Sequence, residues 1–433
     1  MGTGQQRRLT DGARPPRRLV GVAGWLLAVA LGLLAGCHVH RDLCVPPALT
    51  RSGVAVDLSS PWDEYRPVDL ELFPLLARRL RGEAANAEPP GCPNRPLNVL
   101  VLSGGGKFGA YTAGVMSGWA DARTRPDFDI VTGVSTGSIV ACYAFLGPEY
   151  DAKVRDLYLH LRKSDIYRRR CLPALAVADS ISRGRPLRRL YEREVTDALL
   201  AEVARRHAAG KRFYVGTTNL DASRLTVWDM GAIASSHRPD RLPLFRDVLL
   251  ASASVPGVFP PVTLQVTFNG QTYTERHVDG GAISELFLPS SVLRLDPEAV
   301  RRGERPLAGS NVWIVVAGKL YADPKCAPSG IRAIAAGSLA ALTYAQARND
   351  TLRLFVLTGL VGMNYHLMSL DQDAKVSADA LAFEPDELNR LFDHGYIDGR
   401  SGTRWRNAPP GSRPGEPVLP RTGTDFLAPV VLP

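Results

Sequence analysis

Residues 97–114, "LNVLVLSGGGKFGAYTAG", decide the fold. A nearly unbroken apolar run meets Gly104, Gly105 and Gly106, with Gly109 three places on, and a helical pattern then begins. A strand that breaks in glycines and turns straight into a helix points backbone N–H groups, and the positive end of the helix dipole, at something anionic. That anion is either a cofactor's phosphate or a charge that exists only during a reaction.

The flanking sequence repeats the strand-then-helix pattern. "FDIVTGV" (128–134) reads as a strand and "TGSIVACYAFLG" (136–147) as a helix, with "AYTAGVMSGWADA" (110–122) the helix after the glycines. Arginine-rich helices are expected over about 151–209, then strands at "RFYVGTTNL" and "RLTVWDM" and a helix at "LFRDVLLASASV". In "QVTFNGQTYTERHVDGG" the Asn269-Gly270 pair signals a hairpin. "NVWIVVAG" reads as one more buried strand, and the stretch from Ile331 to Leu360 as helix. Strands that are apolar throughout and alternate with helices imply an α/β fold, three layers deep, with a mostly parallel central sheet covered on both faces.

The first rival for the glycines is a dinucleotide-binding turn, since Gly104-x-Gly106-x-x-Gly109 fits that spacing. It needs an acidic residue at the end of the second strand to hold a ribose. Here Asp129 stands at the start of that strand, the wrong end of the sheet. A nucleotidase phosphate loop fails because no Ser or Thr follows Lys107. What ends the second strand is Gly133-x-Ser135-x-Gly137, a serine at a strand-to-helix elbow, where a Cβ at either glycine would clash with a neighbouring strand or helix. Acyl transfer through such a serine needs amide donors for an oxyanion and a base for the serine proton. Of the eight histidines, His38 and His40 lie near the front, His160 and His207 in charged helices and His237 in a polar loop. His366 and His394 fall in the C-terminal helical part, leaving His277, which is either the base or, the favoured reading, a strand residue facing away from the serine. Two places on, Asp279-Gly280-Gly281 puts a carboxylate at a strand end. A free aspartate near pKa ~3.9 is a poor base, so burial beside the serine would have to raise it.

The ordered set Gly104-Gly105-Gly106, Gly133-x-Ser135-x-Gly137 and Asp279-Gly280-Gly281 resembles the patatin-like phospholipase family. "LLASASVPGVFPPV" (249–262), "YVGTTNLDASRLTVWD" and "LFDHGYIDG" are similar to its later blocks. The resemblance implies a Ser–Asp dyad without histidine: Ser135 as nucleophile, Asp279 as its base, and the amides of Gly104, Gly105 and Gly106 as the oxyanion hole. It implies a lipid acyl hydrolase acting on membrane lipid, with no metal and no cofactor. Gly109, Gly133, Gly137, Gly280 and Gly281 support the motifs. The family's basic residue just before the last glycine is here Phe108, with Lys107 one place earlier. Lys107 is then either a solvated loop lysine or reaches the loop or a headgroup from another direction.

Residues 1–36 hold five arginines (Arg7, Arg8, Arg14, Arg17, Arg18) against Asp11, so close to half of the +9 net charge sits there. They precede "LVGVAGWLLAVALGLLAG", too short to span a bilayer comfortably, and then Cys37. Leu34-Ala35-Gly36-Cys37 resembles a bacterial lipobox, which implies cleavage before Cys37 and its acylation; an uncleaved anchor is the alternative. His38 in the sorting position favours an outer-membrane lipoprotein. The expected organisation is a signal peptide over 1–36, an extension over 37–96 closed by "AEPPGCPNRP", the catalytic domain over 97–400 and a Pro/Gly/Arg-rich, poorly ordered tail over 401–433. The absence of a basic stripe with interleaved aromatics excludes nucleic acid. Cys142 reads as a buried thiol. Cys44, Cys92, Cys171 and Cys326 allow two disulfides in three pairings, with Cys44–Cys92 favoured, and no cysteine has metal-site spacing. Other readings are a serine esterase or thioesterase for small esters and a non-catalytic lipid-binding envelope lipoprotein.

Overall fold

The computed structural model describes residue 44 and residues 95–411, apart from 172–177, 269–270, 290–291, 293–304, 306, 324–325 and 327–328. The signal segment, Cys37, Cys92 and most of the extension lie outside the described residues, as does the tail beyond Gly411.

One sheet organises the chain. Its strands are β1 (Asn98–Leu102), β2 (Ile130–Val134), β5 (Arg212–Asn219), β6 (Arg224–Asp229), β7 (Val262–Phe268), β8 (Gln271–Asp279), β9 (Asn311–Val316) and β10 (Asn364–Ser369). They run in the order β10-β9-β1-β2-β5-β8-β7, with β6 on the other side of β5. The block from β10 to β5 is parallel, and β6, β7 and β8 are antiparallel additions. Because both faces are covered, β1 is apolar at every position after Asn98: Val99 and Val101 enter one core, Leu100 and Leu102 the other.

One face carries α1 (Gly109–Asp121), α2 (Thr136–Leu146), α3 (Asp151–His160), α5 (Arg185–Glu194), α6 (Asp197–Ala208), α8 (Arg241–Ser252) and α10 (Pro385–Ser401); short helices α4 (Lys163–Ile166) and α7 (Met230–Ser235) complete it. The other face is closed by α9 (Ile331–Val361) and the segment around Phe287. α1 and α10 cross with backbones touching. A Cβ at Gly114 or Gly118 would strike the Phe392 or Tyr396 carbonyl, and one at Gly395 or Gly399 would strike that of Tyr111 or Val115. "LFDHGYIDG" is therefore a helix whose glycines exist for close approach, and it fixes the start of α1 beneath the glycine loop.

The strand–helix alternation and hairpin follow expectation: Phe268 faces Gln271, although the Asn269-Gly270 turn lies outside the described residues. Three points differ. The arginine-rich region is interrupted by a two-stranded hairpin, β3 (Arg168–Arg169) with β4 (Ser182–Arg183). His366 is on β10 rather than in a helix, stacked on Trp313 at 3.8 Å, because a parallel strand added after α9 extends the sheet. The expected tail is docked through Gly411 in its described part. Arg406 N donates to Leu367 O at 2.9 Å, and Trp405 packs 4.9 Å from Trp119, burying apolar surface that a free tail would leave in water. Cys142 is a fully buried thiol, pushed up to about 12 by desolvation, and Cys171 and Cys326 are exposed and unbridged.

Candidate active site

β5 brings the site together. Along one edge it pairs first with β2, where Val134 faces Gly216, and then with β8, where Asp279 faces the next residue, Thr217. β6 occupies the opposite edge over the same stretch. β2 and β8 therefore run toward each other and meet end to end, Val134 and Asp279 lying one residue step apart, ~3.3 Å along β5, which brings the residue after β2 against the last residue of β8. Those residues are Ser135 and Asp279.

Ser135 holds φ 53°, ψ −129°, a positive φ that a side chain rarely tolerates and that stores of order 1–3 kcal/mol. Its surroundings impose it. Ser135 N donates to Ser252 Oγ at 2.9 Å, Ser252 Oγ donates to Gly216 O at 2.7 Å, and Ser138 N and Oγ both donate to Ser135 O. A Cβ at Gly133 would lie 2.7 Å from Gly137 O, and one at Gly137 would collide with Ser103 O, so both elbow glycines are sterically required. The elbow starts α2, placing the hydroxyl at a helix N-terminus.

Asp279 is buried. Its N–H donates to Ser254 O at 2.9 Å and its Oδ1 accepts from Gly281 N at 2.8 Å. Desolvation raises its pKa to about 7, against the opposing pull of hydrogen bonds from the Ser135 side chain and Gly281. The condition that the sequence left open, a carboxyl tuned toward neutrality, is met by burial. Gly280 passes so close under β5 that a Cβ would sit 2.5 Å from Gly216 O. His277 is turned away: Nδ1 is 3.0 Å from Thr217 Oγ1 and Nε2 is 3.2 Å from Glu275.

The glycine loop closes the third side. Gly105 (φ 153°) and Gly106 (φ 58°) take conformations suited to glycine, and a Cβ at either would strike the carbonyl of Ala317 or Ala380. Gly104 lies against the serine, where a Cβ would be 2.9 Å from Ser135 Cβ. A Cβ at Gly109 would collide with the Tyr158 hydroxyl. Lys107 is neither solvated nor turned to the site. It is fully buried and its Nζ lies 2.8 Å from Glu387 of α10, close enough for charge attraction though poorly aligned as a hydrogen bond. Lys107 N donates to Ala380 O, and Glu387 also accepts from Ser377 N, so the lysine ties the loop to the segment before α10. Sequence alone could not show this, because the anion it meets is supplied by a distant helix.

Three contributors escaped the sequence reading. Ser252 carries the elbow. Glu285 is buried between Gly104 and Gly281, its Oε2 beside the Gly104 amide without a well-formed hydrogen bond. Desolvation first, then Asp279 and Asp350, raise its pKa to about 8. Asp350 of α9 accepts from Glu285 N at 2.7 Å, Leu286 N at 3.2 Å and Ser284 Oγ at 3.1 Å, bracing the turn after Asp279. A carboxylate six residues past Asp279 was the only signal for Glu285. Beside Ser135 an apolar cavity of about 50 Å³ runs between Ile139, Leu157, Leu187, Leu190, Phe259 and Phe383, with Gly106 and Tyr191 at its wall. Among the described residues no cluster of His, Cys, Asp and Glu could hold a metal ion.

A serine elbow facing a buried carboxyl at the carboxyl edge of a mostly parallel sheet puts a nucleophile and a proton acceptor side by side, the pairing that acyl transfer requires. Residues 100–289 match the model of the patatin-like phospholipase family. Among solved structures the chain is similar to VipD from Legionella pneumophila, at 14% identity and a TM-score of 0.39 over 75% of this chain and 70% of that one. Comparison with curated proteins finds no match.

Proposed function

We propose that this protein hydrolyses fatty-acyl esters of membrane lipids, as a phospholipase A or lysophospholipase, through Ser135 and Asp279. The meeting of β2 and β8 on β5 carries this reading, since it sets a strained serine against a carboxyl raised to about 7. Ser135 Oγ attacks the ester carbonyl carbon and its proton passes to Asp279. The resulting oxyanion is held by amides of the glycine loop. Each well-placed donor contributes about 3–4 kcal/mol to the transition state. Gly105 and Gly106 are the main donors in this reading, since Gly104 stands against Glu285. The tetrahedral species collapses, the alcohol leaves with the proton from Asp279, and an acyl-serine remains. Water then attacks the acyl carbon, gives its proton to Asp279, and the fatty acid departs as that proton returns to Ser135. The apolar cavity receives the start of the acyl chain.

A lipoprotein anchor at Cys37 belongs to the same proposal. Holding the enzyme at the cell-envelope membrane, the outer one by the identity of His38, raises the effective concentration of an insoluble substrate. Ser135→Ala should abolish both hydrolysis of a short-chain p-nitrophenyl ester and labelling by a fluorophosphonate, with an unchanged circular-dichroism spectrum. Retained turnover rejects the assignment. The cavity's small volume favours a second reading, an esterase for short soluble esters. A rate that jumps when substrate aggregates into micelles supports the lipid reading, and one that saturates on monomers supports the esterase.

A further inference from the structure

α9 is too long for the sheet it covers. Its 31 residues span about 46 Å, whereas the six residues of β9 span about 20 Å. The half from Ala347 to Val361 packs, with Leu354, Leu357 and Leu360 buried against β9 and β10. The half from Ile331 to Gln346 projects. Ile331 is 88% exposed, Ile334 60%, Leu339 59% and Leu342 65%, and these four share one side of the helix, with alanine, glycine, serine and threonine making most of the rest. Arg332 is the only charged residue in the stretch. A helix with that composition is normally covered.

Topology says where it points. β9 and β10 run parallel to β1 and β2, and α9 carries the chain from the carboxyl end of β9 back to the start of β10. Its free half therefore rises from the edge of the sheet that carries Ser135. Arg348 pins the base of the projection by donating to Leu320 O at 2.9 Å.

The same edge carries an arginine-lined cleft of about 590 Å³, where Arg170, Arg183, Arg185 and Arg188 face Ser254, Pro260 and Pro261. The β3–β4 hairpin is held there by Ile181 N and Ser182 N, which donate to Gly257 O and Val258 O, and Ser254 O accepts from Asp279 N. Arg188 pairs with Asp247 at 2.5 Å. Arg170, Arg183 and Arg185 have no ion pair among the described residues, and the Arg170 Nε is buried without a partner. An apolar projection and unneutralised guanidinium groups on one edge complement an anionic lipid surface, which offers hydrocarbon below a layer of phosphates.

We propose that this edge docks on an anionic phospholipid bilayer, with the Ile331–Gln346 half of α9 entering the acyl layer and the arginine cleft taking lipid phosphate groups. Shallow insertion suffices: among the described residues no helix is long and apolar enough to cross a membrane. Docking in this way turns Ser135 toward the bilayer and needs no turnover, so it stands or falls separately from the hydrolase reading.

The test uses the full chain carrying Ser135→Ala, with a benzophenone side chain in place of Leu339, irradiated on vesicles of phosphatidylglycerol or phosphatidylcholine. Lipid adducts on phosphatidylglycerol are expected, several-fold fewer on phosphatidylcholine, and few from the same probe in place of Ala209, at the opposite edge. Arg183→Gln with Arg185→Gln should lower the phosphatidylglycerol adduct about thirtyfold. Replacing chloride by inorganic phosphate at equal ionic strength should leave the adduct in place; its loss would assign the cleft to free phosphate and overturn the headgroup role. Cross-links only between copies of the chain, no lipid adduct, or equal adducts from positions 339 and 209 would overturn the docking.

Discussion

Asp279→Asn separates two consequences of burying a carboxyl beside the candidate nucleophile. Burial moves Asp279 from an ordinary aspartate value to about 7, which places a penalty of about 4 kcal/mol on its ionised form in the folded state. The folded value lies above the unfolded one, so the folded state holds the proton more tightly. The resulting stabilisation is complete below about pH 4 and is lost as pH rises through about 7. Asparagine has no charge to bury and keeps the shape. Its carboxamide oxygen can still accept from Gly281, at an allowance of about 1 kcal/mol for the altered contact with Ser135. Relative to the wild type, Asp279→Asn should therefore be about 1 kcal/mol less stable at pH 4 and about 3 kcal/mol more stable at pH 8, a change of about 4 kcal/mol, while kcat/KM falls about 10³-fold through loss of the proton acceptor. Urea unfolding at four pH values gives the difference curve. Glu285 titrates with the same sign, so the pair of curves is best taken in a Glu285→Gln background, where the gain should persist. A stability difference that does not change with pH would refute the reasoning, because it would mean that Asp279 is ionised in the folded protein throughout.

Wild-type kcat/KM on a soluble ester should rise with pH and level off above about 7 as Asp279 loses its proton, and a profile flat from pH 5 to 8 would count against it as the base. Ser135→Gly should raise stability by about 1 kcal/mol in urea, since φ 53° costs glycine little, while abolishing fluorophosphonate labelling. Lys107→Met should cost about 3–5 kcal/mol by stranding Glu387, and adding Glu387→Gln should recover part of it; an additive double variant would show that the pair is not coupled. Leu190→Phe should narrow the cavity and shift preference from long-chain to short-chain p-nitrophenyl esters, read as a ratio of kcat/KM values.

The sequence by itself determined the elements that rest on short-range forces. Apolar runs entering glycines gave β1 and β2, and the need to turn tightly without a Cβ marked Gly133, Gly137, Gly280 and the loop at 104–106. Ser135 and Asp279 could be singled out because each closes a strand with glycine within two positions. β10 was invisible because "NYHLMS" is neither a long apolar run nor a clean alternation, and it becomes a strand only where β9 offers an open parallel edge. The tertiary structure alone decided what distant chain brings: the end-to-end meeting of β2 and β8 on β5, the burial of Lys107 against Glu387, and the crowding of Glu285 and Asp350 behind Asp279. Charge state and reach depend on which far segments exclude water and supply counter-charge, and no local pattern encodes that.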